Sequence, residues 1–76
     1  MALVRDFGDF EIRINFHDHG VPHFHVYGPD LDATVAIRTR EILAGALPAK
    51  VRRKALAWAA RNEDLLMAKW NEYKRE

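Results

Sequence analysis

The hydrophobic period of this chain changes part-way along it, from two residues to about 3.6. Phe10, Ile12, Ile14 and Phe16 alternate with Glu11, Arg13 and Asn15, which is the pattern of a half-buried strand. "HFHVY" (His23 to Tyr27) alternates too, and "ATVAIR" (Ala33 to Arg38) follows the turn residues of "GPDLD". The spacing predicts strands over about 10–16, 23–28 and 33–38, with "EIL" as a short fourth over 41–43. Connections this short make the sheet an antiparallel meander. After Gly45 the period becomes helical. Pro48 suits a first turn, and Val51, Ala55, Trp58, Ala59, Leu66, Trp70 and Tyr73 share one broad face at ~100° per residue. The helical region covers about 48–74. "NED" (Asn62 to Asp64) also carries helix-start signals, but one continuous helix is the favoured reading.

The fold class is therefore α+β, a three- or four-stranded antiparallel meander covered on one face by a C-terminal helical region. Phe10, Ile12, Ile14, Phe24, Val26, Val35 and Ile37 are expected on the covered face. Glu11, Arg13, His23, His25, Tyr27, Thr34 and Arg38 fall on the other. One helix covers one face, so the polar face is left for solvent, a site or a homodimer contact.

At 76 residues the chain is a single domain, 1–76. A domain this small buries only about 60–65% of its unfolded surface, so a metal ion or a second subunit would add useful stability. It contains no cysteine, which excludes disulfides and thiolate metal sites and fits a reducing cytoplasm. There is no apolar run of signal-peptide type and none of the ~18 residues that a membrane span needs. A cytoplasmic protein without membrane attachment is the expectation.

All four histidines lie within "FHDHGVPHFHV", at His17, His19, His23 and His25. Three chemistries compete for them. His23 and His25, two apart on a strand, point the same way. With His19 and Asp18 from the approach turn they form a candidate metal set suited to zinc or another divalent transition metal. Imidazole also exchanges protons near neutrality. A metal-independent ribonuclease could use His19, His23 and His25 for acid–base work, Arg13 and Arg38 to hold phosphate, and Tyr27 to stack a base; Glu11 is an alternative base. The plain reading is structural, since Asp, Gly and Pro in "HDHGVP" are ordinary turn residues and Pro22 keeps Val21 extended.

Charge is unevenly distributed. Residues 1–45 carry four arginines against seven carboxylates, and residues 46–76 carry eight cations against four. Lys50, Arg53, Lys54 and Arg61 fall within about 100° of arc opposite the apolar helix face. Three of them sit in the first two turns, where the helix dipole disfavours cations. Such a face suits RNA, DNA or an acidic protein partner; the alternative is a solvated charged stripe.

"HDHGVPHFHV", "GALP" and "LAWAARNEDLLMAKW" together resemble a family of small bacterial and archaeal proteins, the domain-of-unknown-function family numbered 4160. Its members typically show D/E/N-H-x-P-P-H-F-H-V, then two strands, Gly-x-Leu-Pro and a Trp-bearing helix. The likeness covers about residues 5 to 72. Asp18, His19, Pro22, His23, Phe24 and His25 match the motif, and Val21 stands where its first proline usually stands. Such proteins are often encoded beside another small protein in a toxin–antitoxin-like arrangement. The resemblance thus implies a small cognate protein partner, with nucleic acid as the expected ligand of the basic residues. If the chain is the toxin, ribonuclease chemistry is expected at His19, His23 and His25. The reading from a different class is a non-catalytic metal-binding or interaction module, homodimeric through the polar sheet face. The HFH pair is also similar to part of the histidine-triad motif. That motif needs three alternating histidines near the C-terminus, so the link is rejected; a cupin barrel needs more strands than this chain supplies.

Overall fold

The computed structural model describes residues 2–74. Among them, five strands precede two helices: β1 (Ala2–Asp6), β2 (Glu11–Ile14), β3 (His23–Gly28), β4 (Leu31–Ala36), β5 (Ile42–Gly45), α1 (Ala49–Arg61) and α2 (Glu63–Tyr73). The strands form one antiparallel sheet in chain order, which is the meander that short connections demand. The sheet is one strand larger than the widest expectation. The additional strand is β1, whose pairing runs from Leu3 opposite Arg13 to Arg5 opposite Ile12. Val4 is the extra residue at that bulge, and it breaks the alternation by which a strand is recognised.

The covered face is built as expected. Phe10, Ile12, Ile14, Phe24, Val26, Val35 and Ile37 are all buried, packed with Ala55, Ala59, Leu66 and Trp70 from the helices. Each such large apolar side chain contributes roughly 1.5–3 kcal/mol when buried, and a one-residue slip would turn a whole strand's set outward. α1 lies over the β1–β2 hairpin, where Phe7 stacks on Phe10 and meets Trp58 edge-on. α2 reaches the other end of β2. There the His17 N–H donates to the Tyr73 carbonyl at 3.0 Å, and the Phe16 and Tyr73 rings meet edge to face.

Two expectations are corrected. The helical region is two helices, because Asn62 (φ −126°, ψ 28°) leaves helical geometry between them. Its side-chain amide donates to the Trp58 carbonyl at 2.8 Å, and its backbone N–H reaches back three residues to Ala59 at 3.1 Å. Glu63 and Asp64 then place negative charge in the first turn of α2, where a helix start favours it. The second correction concerns Arg38. Strand β4 ends at Ala36, so Arg38 lies in the following turn, exposed, and not on the polar face. No helix among the described residues is long and apolar enough to cross a membrane.

Candidate functional site

Strand pairing builds the polar face. Arg13, His25 and Thr34 lie side by side across β2, β3 and β4, and Glu11, Tyr27 and Asp32 form the next row. His23 begins β3, opposite Ala36 of β4. The connection from β2 to β3 then folds back toward these histidines. It turns through left-handed backbone at His17 (φ 58°) and Gly20 (φ 90°), and it returns Asp18 to the start of β3.

Asp18, His23 and His25 converge. One donor atom of each lies within 4.8 Å of a donor atom of each of the others. Asp18 Oδ2 is 2.9 Å from His23 Nε2. The other ring nitrogen of His23, Nδ1, is 2.7 Å from the Val21 carbonyl. A carbonyl only accepts, so Nδ1 donates there and Nε2 faces the carboxylate. The side chains of His23 and Asp18 are only 14% and 25% exposed, so the contact is partly sheltered from water. Val21 contributes only its backbone carbonyl to this contact, an acceptor that any residue at that position would possess.

Asn15 closes the group. Its Nδ2 donates to Asp18 Oδ2 at 3.2 Å and to His25 Nε2 at 3.1 Å. His25 Nε2 therefore presents a lone pair, and its proton sits on Nδ1, which faces Thr34 Oγ1 at 3.4 Å. Burial holds the His25 imidazole below its ordinary pKa, reinforced by the charge of His23, while Asp32 and Asp18 oppose the shift. Burial alone would raise the Asp18 carboxyl, but hydrogen bonds from the His19 N–H and the Asn15 amide, with the His23 imidazole, bring it below the usual value.

The residues singled out in the sequence divide accordingly. Asp18, His23 and His25 meet. His19 does not join them: it is exposed, and its backbone N–H caps Asp18 Oδ1 at 3.0 Å. His19, expected among the metal ligands, meets the carboxylate through its backbone N–H, and the side chains that converge are those of Asp18, His23 and His25. His17 is exposed as well. Tyr27 stacks on His25 with ring centroids 5.8 Å apart. Arg13 is beside His25 but is bound by Glu11 through Nε at 2.9 Å and Nη2 at 2.6 Å. With Arg38 also off the strand, neither arginine is a free cation at the histidines. Two participants had no signal in sequence. Asn15 looked like the polar half of an alternation, and Trp70 looked like core alone, yet its indole lies 4.9 Å from the His23 ring.

The cations expected to bind an anion lie elsewhere. Lys50, Arg53, Lys54 and Arg61 are all exposed on α1. Arg52, also exposed, joins them, giving five cations and no carboxylate along α1. The ammonium of Lys54 lies over the Phe7 and Phe10 rings at 5.3 and 5.9 Å. Phe10 and Asn15 stand at opposite ends of β2, about 16 Å apart at strand rise. The basic face and the histidine group are therefore two separate surfaces.

The family described as domain of unknown function (DUF4160) matches residues 10–71. The chain belongs to this family. The match takes in the histidine connection, β3, the Gly45-to-Pro48 turn and both helices as far as Asn71, so both candidate surfaces lie inside the DUF4160 domain. No curated protein and no solved structure matches the chain.

Proposed function

We propose that this DUF4160 chain is a cytoplasmic member of a toxin–antitoxin-type pair, and that its own part is to bind nucleic acid through α1. The pairing with a small cognate protein is what the resemblance of "HDHGVPHFHV" and "GALP" to such gene pairs implies. One observation carries the binding role: α1 presents Lys50, Arg52, Arg53, Lys54 and Arg61 to solvent with no acidic residue among them. None of the ion pairs among the described residues involves α1.

The placement of Lys50, Arg52, Arg53 and Lys54 near the start of α1 is costly to the fold, whereas Arg61 lies in its last turn. Pro48 provides no side-chain cap, and no acid lies in the first turn. Uncapped N–H groups and cations thus share the positive end of the helix dipole, where each cation costs roughly 0.3–1 kcal/mol. An anion offsets that cost. Ala49, Arg52, Arg53 and Leu56 line an open depression there, and its two guanidinium groups can pair with phosphate oxygens. Contacts of this kind fix the position of a nucleic acid without reading its sequence.

Fluorescence anisotropy with a labelled single-stranded RNA tests the reading. The unmodified chain binds, and a chain carrying both Lys50→Glu and Arg53→Glu does not. Equal binding by the two chains, or a preference for an acidic polypeptide over RNA, would reject the nucleic-acid role.

A further inference from the structure

We infer that Asp18, His23 and His25, with Asn15 as the fourth donor, form a binding site for one divalent transition-metal ion of zinc type. This inference goes beyond the nucleic-acid reading and does not depend on α1.

Three of the six edges joining these four donors are already close to those of a coordination shell, and the donor atoms of Asp18, His23 and His25 lie within 4.8 Å of one another. The polar atoms are 2.9 Å apart between Asp18 and His23, 3.2 Å between Asn15 and Asp18, and 3.1 Å between Asn15 and His25. A tetrahedron with metal–ligand distances of ~2.1 Å has edges of about 3.4 Å. The three sets of contacts therefore need to open by only a few tenths of an ångström. In the metal-free chain these groups satisfy one another. Asn15 Nδ2 directs its hydrogens at the carboxylate and the imidazole lone pair, the two places a cation would engage. Turning that amide over exchanges Nδ2 for Oδ1 at almost the same point and supplies an oxygen ligand.

The surroundings match those of metal-binding histidines. Such a histidine normally donates its second N–H to a carbonyl or carboxylate, which fixes the ring and raises its basicity. His23 does this with the Val21 carbonyl at 2.7 Å. His25 has the hydroxyl of Thr34 on its second nitrogen. Two imidazoles, one carboxylate and one amide oxygen suit zinc, cobalt or nickel better than magnesium, which prefers an all-oxygen octahedron. The site also joins three parts of the fold: the end of β2, its following connection and β3. Trp70 of α2 packs against His23, so a bound ion would tie the connection to the core.

The test uses the full chain without an affinity tag, stripped with chelator and titrated with zinc chloride by calorimetry. It predicts one ion per chain and a higher melting temperature, with magnesium giving neither. Asp18→Asn, which keeps the side-chain shape, abolishes stoichiometric binding, as does His25→Gln. Asn15→Ala removes the fourth donor and weakens binding by at least about 10-fold, the lower end of what losing even a supporting partner costs. His19→Ala leaves binding unchanged. In a Trp58→Phe background, cobalt quenches the fluorescence of Trp70. Zinc binding that survives a combined His23→Ala and His25→Ala change would overturn the assignment, and so would substoichiometric binding by the folded unmodified chain. Retained RNA binding in the Asp18→Asn chain separates this site from the role of α1.

Discussion

At His17 the backbone takes a left-handed conformation, φ 58°, which costs an ordinary L-residue roughly 1–2 kcal/mol. Its imidazole is exposed, and what the fold uses is its N–H, bonded to Tyr73. His17→Gly keeps that bond and relieves the strain. The variant is expected to gain about 1 kcal/mol in urea unfolding, with no change in zinc binding. Lys50 poses the opposite case. It sits in the first turn of α1, at the positive end of the helix dipole. Lys50→Glu removes a cation and adds an anion, and should raise stability by about 0.6–2 kcal/mol while weakening RNA binding. A thermal melt and an anisotropy titration on the same sample check both signs. A variant that lost stability and binding together would indicate a packing role for Lys50.

Among the elements, β5 depends on its last residue. Gly45 pairs with Ala33 in left-handed backbone, φ 77°, and a Cβ there would run into the Asp32 carbonyl oxygen. This gives the glycine of "GALP" a physical reason. Gly45→Ala is expected to cost more than 2 kcal/mol, since strain and clash add. On a domain this size that lowers the melting temperature by more than about 8 °C. Legibility in the sequence differed between elements for equally local reasons. β2 and β3 could be read because one face is wholly buried and period two is unbroken. β1 could not, because its bulge at Val4 disrupts the period and only half of it packs on the core. The break at Asn62 was written in "NED", but the apolar face runs through it from Ala59 to Leu66 and masks it. The meeting of Asp18 with His23 and His25 depends on the path of residues 15–22, set by left-handed turns at His17 and Gly20, and alternation carries no information about that path. For the same reason His19, adjacent in sequence, proved peripheral, while Asn15 proved central.

For the whole molecule, the histidine group and the basic face, two separate candidates in the sequence, lie on separate surfaces of the fold. The histidine group lies at one end of β2, sheltered by Asn15 and Trp70. The cations lie on α1, at the other end. Arg13, the cation beside the histidines, is held by Glu11. If α1 binds nucleic-acid phosphates, the salt dependence of RNA affinity reports it. Each phosphate neutralised on a single strand contributes about −0.7 to the slope of log K against log salt. With Lys50, Arg52, Arg53 and Lys54 engaged, the predicted slope is about −3, and replacing Lys50 and Arg53 with alanine should bring it to about −1.4. A slope near zero, or one unchanged by those two substitutions, would contradict the account.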